Sequence, residues 1–401
     1  MSGYSRREVA DRAGVDLAFV TRLVELDIVT PDTRDRFSGG DVRRLRLAYA
    51  LDRAGVPLEG IGAAIRTGAI SLAFLDQPFY ERFASLSGVT FRALAEETGI
   101  PIDLVMVVRE AIGFGQPGPE DRVREDELRI VPVIERLLET GSRPVAVERL
   151  LRVWGESLRR IAETEGEWWR SEVEAPLIAS GMSEREMLEA ANRLSPELAA
   201  LQERVVLEIY HAQHEHAATK NIVEDIESAL AKAGVYSRLS RHPAICFLDI
   251  TGYTRLTEER GDEVAADLAG QLGRMVQRIS MQHGGKPVKW LGDGVMLYFH
   301  DPGPAVDAAL QMVRIVADAG LPSAHVGLHA GPVLFQEGDY FGRTVNVAAR
   351  VADYARPGEV LATKEIVDAS SGAGVSFTPI GPVELKGVSG VVELYAARHG
   401  R

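Results

Sequence analysis

No lysine precedes Lys220, and the complete set is Lys220, Lys232, Lys286, Lys289, Lys364 and Lys386. Arginine carries the rest of the positive charge, so each lysine of the C-terminal part is worth weighing singly. Cysteine is scarcer still. A lone Cys246 excludes an intrachain disulfide framework and fits a reducing cytosol. No run of about 18 apolar residues occurs, so neither a membrane-spanning helix nor a membrane partner is expected. The opening MSGYSRREVADRAGV places charge where an export signal needs an apolar stretch, so the expected location is cytoplasmic. Positive charge is also in deficit, with 45 Lys+Arg against 58 Asp+Glu and a net charge of −13. That excess repels nucleic acid as a whole and favours solubility. At 401 residues the chain exceeds one ordinary core, and two to four domains are expected.

Residues 4–70 have the pattern of a small helical module. Val9, Ala10 and Ala13 make one short amphipathic helix, Gly14 turns the chain, and Leu17, Val20, Leu23 and Val24 make a second stripe. Arg34 to Phe37 follow as a loop or small wing. A third helix from about Gly40 to Ala54 stops at Gly55 and Pro57, and Leu58, Ile61 and Ile65 begin a fourth. The plan recurs about 85 residues later, where TFRALAEETGIPIDLVMVV matches SRREVADRAGVDLAFVTRL. Gly99 then falls on Gly14, Val123 on Phe37 and Gly141 on Gly55, which implies a tandem duplication. The EVADRAGV and FSGGDV segments resemble the MerR-type winged helix-turn-helix, a resemblance that implies DNA as a partner. The charge argues against it. Residues 1–70 hold 11 Arg and 10 acidic residues, and Asp11, Asp16 and Glu25 interleave with Arg6, Arg7, Arg12 and Arg22. Phosphate binding needs several uncompensated cations. A retooled sensor or docking module is the better expectation.

From about 156 to 235 the pattern is long helices, expected to connect and dimerise. Ser183 with Glu186 opens one helix as a capping box, Pro196 falls near the start of the next, and Gly234 ends the last. Trp168 and Trp169 are expected to pack in that bundle. His211 and His214 share a helix face, with Glu215 four residues beyond His211. They read either as a pH sensor or as chance histidines on a solvated face.

After about residue 240 strands and helices alternate. Ala244–Tyr253, AICFLDITGY, has the apolar run of a buried strand with Asp249 near its end. A helix from Asp262 to Gln282 should turn Val264, Leu268, Leu272, Met275, Val276 and Ile279 inward. A hairpin follows, PVKWL and VMLYF joined through Gly292-Asp293-Gly294. Asp249 and Asp293 would then meet at adjoining strand ends, a carboxylate pair that repels itself without a hard divalent cation.

FLDITGYT, VKWLGDGVMLYF, VGLHAGPV, GDYFGRTVNVAARV and ELKGVSG resemble, in order and over about 155 residues, the signatures of the class III nucleotide cyclase catalytic domain. The resemblance implies a ferredoxin-like α+β fold, a head-to-tail homodimer with two interface sites, and ATP turned into cyclic AMP and pyrophosphate. By matching positions, Asp249, Asp293 and the Ile250 carbonyl would hold two Mg²⁺ or Mn²⁺ ions per site. Lys289 and Asp339 would read adenine, where guanylate-specific relatives carry Glu and Cys or another small residue. Asn346 would orient the ribose, Arg350 would stabilise the α-phosphate, Lys386 would bind the outer phosphates, and Phe247 and Phe341 would wall the base. Pro332 stands where some relatives place a second phosphate-binding Arg.

Residues 86–235 also resemble the helical regulatory domain of some actinobacterial cyclases, including a pH-responsive mycobacterial type. The expected protein is multidomain, with an all-α N-terminal half of tandem winged-helix-like modules plus helical connector, then the α+β cyclase domain. The boundaries expected are 1–75, 86–155, 156–235 and 240–401. An unknown regulatory ligand would act on the helical half. The alternative is a DNA-binding or ligand-sensing regulator whose cyclase-like domain senses nucleotide without turnover.

Overall fold

The computed structural model describes residues 3–76, 84–235, 242–370 and 374–400. The chain divides into two compact units, Met1–Lys220 and Asn221–Arg401.

The first unit repeats one plan twice. In the first copy, α1 (Arg6–Ala13) and α2 (Leu17–Glu25) precede α3 (Gly39–Arg53) and α4 (Leu58–Thr67). Tyr4 bridges Phe37 as a minimal β pair across the copy. In the second copy, β1 (Leu86–Thr90) leads into α5 (Phe91–Thr98) and α6 (Ile102–Ala111), and pairs with β2 (Arg122–Arg124). Then come α7 (Glu125–Glu139) and α8 (Pro144–Trp168).

The correspondence is physical as well as ordinal. Gly14 and Gly99 cap the first helix of each copy at φ 74° and 71°, a left-handed conformation that glycine takes without penalty. Phe37 and Val123 are both buried at the matched position. The third helix of each copy carries a buried acid at its third residue. Asp41 accepts from Ser38, whereas Glu127 accepts from the Arg124 amide and from the Arg109 guanidinium at 2.6 and 2.8 Å. Within α2, Val20 and Leu23 are buried but Leu17 is exposed, so the inward stripe begins one turn later than its spacing suggested.

Beyond α8 the helix passes through a π-helical stretch, Trp169–Glu174, and α9 (Ala175–Ala179) before α10 (Glu184–Lys232). The Ser183–Glu186 capping box forms as expected. Pro196 does not begin a new helix, because α10 runs through it for 49 residues. Proline removes one backbone bond from a helix that long, and neighbouring turns carry it across. Trp169 packs beside Val173, Met187 and Ala191, and its indole N–H donates to Glu174 at 2.9 Å. Trp168 is exposed instead of packed, since adjacent helical positions point about 100° apart.

The second unit is built on a mixed seven-stranded sheet. Its elements are β3 (Ala244–Ile250), α11 (Tyr253–Arg260), α12 (Asp262–Gln282), β4 (Gly285–Leu291), β5 (Gly294–Phe299), α13 (Pro302–Asp318) and β6 (Ala324–Ala330). A small hairpin of β7 (Leu334–Gln336) and β8 (Asp339–Phe341) leads into α14 (Arg343–Tyr354). The last elements are β9 (Val360–Thr363), α15 (Lys364–Ala369), β10 (Val375–Glu384) and β11 (Val391–His399). Strand order is β10-β11-β9-β6-β3-β5-β4, and its β6-β3-β5-β4 portion is the ferredoxin-like βαββαβ arrangement.

Alternation along β3 sorts its side chains. Ala244, Cys246, Leu248 and Ile250 join the core under α12 and α13, and Ile245 and Phe247 face Ala348 of α14 and Tyr340. A Cβ on Gly327 of β6 would meet the Ala352 backbone nitrogen at 2.1 Å, so only glycine lets α14 lie this close to the sheet. On α12, Leu272, Val276 and Ile279 are buried, but Val264 is 40% exposed and does not join the core. It lies in the first turn, where the apolar stripe outruns the surface it packs on.

Candidate active site

Asp249 ends β3 and pairs by register with His325 on β6. Asp293 sits in the tight link between β4 and β5, which closes at Leu291 and Gly294. The charge of Asp293 is felt at Asp249, and Gly294 leaves the Asp249 carboxylate room. A Cβ on Gly294 would lie 3.2 Å from both Asp249 Oδ1 and the Leu248 carbonyl oxygen. Asp249 Oδ1 accepts from the Ile250 amide at 3.0 Å, and His325 Nε2 stands 3.7 Å from Oδ2. Burial lifts the Asp249 carboxyl above its ordinary pKa, and the charge of Asp293 adds to that lift. His325 and the Ile250 amide offset it in part, and Asp353 adds to it. The Ile250 side chain is buried and lines, with Tyr253, Leu272 and Trp290, a small apolar pocket that Asp293 edges.

These residues fit a hard divalent cation. The donors are carboxylate oxygens, they repel one another, and the backbone around them is opened by glycine.

Lys289 and Asp339 also come together. A bulge in β4 between Pro287 and Lys289 re-aims the lysine, and its ammonium donates to Asp339 Oδ2. The other oxygen, Oδ1, accepts from the Tyr340 amide at 2.8 Å. Tyr340 is fixed in turn by stacking on Tyr298, with ring centroids 4.4 Å apart and planes 10° from parallel. Phe247 is half-buried beneath this hairpin and Phe341, at its end, is exposed.

Asn346 and Arg350 occupy one exposed face of α14, one helical turn apart. Arg350 Nη1 donates to Asp353 Oδ2 at 2.5 Å. Lys386 is exposed beyond β10, in the segment leading to β11. His325 and the Tyr298–Tyr340 stack carried no signal in the sequence. Strand register places them, and no local motif encodes it.

In the helical half, His211 and His214 lie exposed on α10, flanking the Tyr210 ring at 5.9 and 6.0 Å. Three of the four arginines that could have met DNA are paired with carboxylates. Arg6 holds Asp35 at 2.8 Å, Arg12 holds Glu125 at 3.2 Å and Arg22 holds Glu59 at 2.8 Å.

Residues 235–398 match the adenylate and guanylate cyclase catalytic domain, and residues 42–218 match the adenylate cyclase regulatory domain. The chain belongs to the class III cyclases. A pH-sensitive adenylate cyclase of Mycobacterium tuberculosis is 29% identical over 323 residues, covering 78% of each chain. An adenylate cyclase of Streptomyces coelicolor is 27% identical over 271 residues, 67% of this chain and 68% of that one. The regulatory match begins inside α3, so it takes in part of the first helical copy together with the second. Among the described residues of this cyclase, no helix is long and apolar enough to cross a membrane.

Proposed function

We propose that this cyclase converts ATP to 3′,5′-cyclic AMP and pyrophosphate at two equivalent sites between two copies of the chain. The Lys289–Asp339 pair is the observation that carries the choice of ATP. An ammonium donor beside a carboxylate acceptor complements adenine, which accepts at N1 and donates from its amino group. Guanine has the opposite polarity at those positions and would meet like against like.

Asp249 and Asp293, with the Ile250 carbonyl, would hold two Mg²⁺ or Mn²⁺ ions. Bound there, such ions would ease deprotonation of the ribose 3′-hydroxyl and neutralise triphosphate charge. The 3′-hydroxyl gives up its proton to solvent water and its oxygen attacks the α-phosphorus. The bond from that phosphorus to the bridging oxygen breaks, and its electron pair leaves with pyrophosphate. Asn346 orients the ribose, Arg350 faces the charge growing on the α-phosphate, and Lys386 binds the outer phosphates. Phe247 and Phe341 close around the base. In the dimer, α14 of one copy lies over the carboxylates of the other, and each site needs both.

Residues 1–75 and 86–155, with the 156–235 connector, govern the 240–401 cyclase domain. Arg6, Arg12 and Arg22 are held in internal ion pairs, which favours action on the cyclase over binding to DNA. Cyclic AMP formation from ATP and from GTP, with Mg²⁺ and Mn²⁺, tests the catalytic reading. Absence of turnover with either nucleotide overturns it. The same assay on the full chain and on residues 236–401, from about pH 5.5 to 8, tests regulation. Equal activity of the two at every pH removes the helical half from control.

A further inference from the structure

We propose that Arg343 is a further substrate-binding residue, holding the pyrophosphate end of the nucleotide together with Lys386. The inference rests on the cyclase reading of α14.

Arg343, Asn346 and Arg350 are exposed at spacings of three and four along α14, while Thr344, Val347, Ala348 and Val351 are buried on its other side. The three polar residues therefore form one stripe. Two of them already face ribose and α-phosphate, and the third continues the stripe to the helix N-terminus. From residue 343 to residue 350 the axis advances about 10 Å, enough to span a triphosphate.

The N-terminus of α14 is held in place. Thr344 Oγ1 donates to the Pro332 carbonyl at 2.7 Å, which fixes the first turn against the segment after β6. Arg343 Nη2 donates to the Ser389 carbonyl at 3.1 Å, three residues beyond Lys386. One guanidinium thus ties the Lys386 segment to the stripe while its remaining donors stay available for an anion. Gly342 precedes the helix and supplies no side-chain cap, so the leading amides add positive potential at the same point. Pyrophosphate leaves with several negative charges, and among the side chains assigned to its end Lys386 supplies only one positive charge.

The alternative is that Arg343 merely tethers the Lys386 segment. The full chain carrying Arg343→Ala or Arg343→Lys separates the two. Inhibition constants are measured for inorganic pyrophosphate, 3′-deoxy-ATP and 3′-deoxyadenosine, with Tm as the measure of folding. Arg343→Ala should weaken pyrophosphate and 3′-deoxy-ATP by about tenfold, the scale of one charge-assisted contact. Inhibition by 3′-deoxyadenosine and Tm should hold, and Arg343→Lys should recover part of the loss. Unchanged pyrophosphate inhibition overturns the proposal. So does equal weakening of all three inhibitors with a lower Tm, which is the signature of the tether. Turnover by the unaltered chain reports on the cyclase reading by itself.

Discussion

Lys289 on β4 and Asp339 at the turn end of the β7–β8 hairpin, fifty residues apart in the chain, are hydrogen-bonded to each other. The pair is half-buried and its carboxylate is also tied to the backbone, so neither partner has to be ordered when a base arrives. Replacing both, Lys289→Glu with Asp339→Cys, reverses the pattern offered to the base. The double variant should lose at least about a hundredfold in kcat/KM for ATP, since each mismatched polar contact costs roughly 1–3 kcal/mol. The GTP value should fall less or rise. Initial rates with both nucleotides check this, and an ATP value within a few-fold of the parent would remove the pair from base recognition.

The carboxylate pair makes a prediction of opposite sign for stability and activity. Asp249 has a raised pKa, so the stability linked to it is intact below the unfolded value of about 4 and is lost as pH rises through the folded value. Burial of the Asp249 carboxylate, with the neighbouring charge of Asp293, therefore destabilises the chelator-treated protein as pH rises. Asp249→Asn should raise its Tm by about a few degrees at neutral pH, and the gain should shrink towards pH 4. Turnover should nevertheless drop by about a thousandfold or more. A lower Tm at neutral pH would mean that Asp249 is held by partners stronger than its repulsion from Asp293.

What was legible in the sequence was what local chemistry encodes. Gly14 and Gly99 declared helix ends because the left-handed conformation is a property of one residue. Asp293 declared itself through the glycines that flank it in a two-residue link. What stayed hidden depends on partners distant in sequence. His325 reaches Asp249 only through the register of β6 on β3, and Tyr340 is anchored by Tyr298 from another strand. Helical spacing named the inward face of α12 correctly but could not show where that face runs past its support, so Val264 was misplaced. Pro196 failed in a related way, because the cost of one proline is set by the length of helix around it.

His329 supplies a pH dependence separate from the carboxylates. Its Nδ1 lies 2.8 Å from the Thr363 hydroxyl and 3.5 Å from Glu365, and burial, with Arg343 nearby, lowers its pKa despite Glu365. A lowered histidine lends stability that is present above the unfolded value of about 6.5 and lost as pH falls through the folded value. His329→Gln keeps a polar partner for Thr363 without a titrating ring. Its Tm should decline less steeply than the parent's below about pH 6.5. Parallel Tm curves from pH 7.5 to 5 would assign the acid sensitivity to other groups.

The division of labour between β3 and α14 can be tested with two inactive proteins. Asp249→Ala removes a carboxylate from one side of each shared site, and Arg350→Ala removes the guanidinium from the other. Each homodimer should be silent, with Arg350→Ala losing about a hundredfold in kcat and little in KM, as expected for a group that acts on transition-state charge. Subunit exchange places both lesions in one site of the mixed dimer and leaves its second site intact. Half the dimers in an equimolar mixture are mixed, each with one good site, so about a quarter of the parental activity should return. Cyclic AMP formation before and after mixing gives the answer. No recovery, with mixed dimers verified by differential tags, would mean that each chain builds its own site and that the exposed stripe on α14 faces something other than a partner's carboxylates.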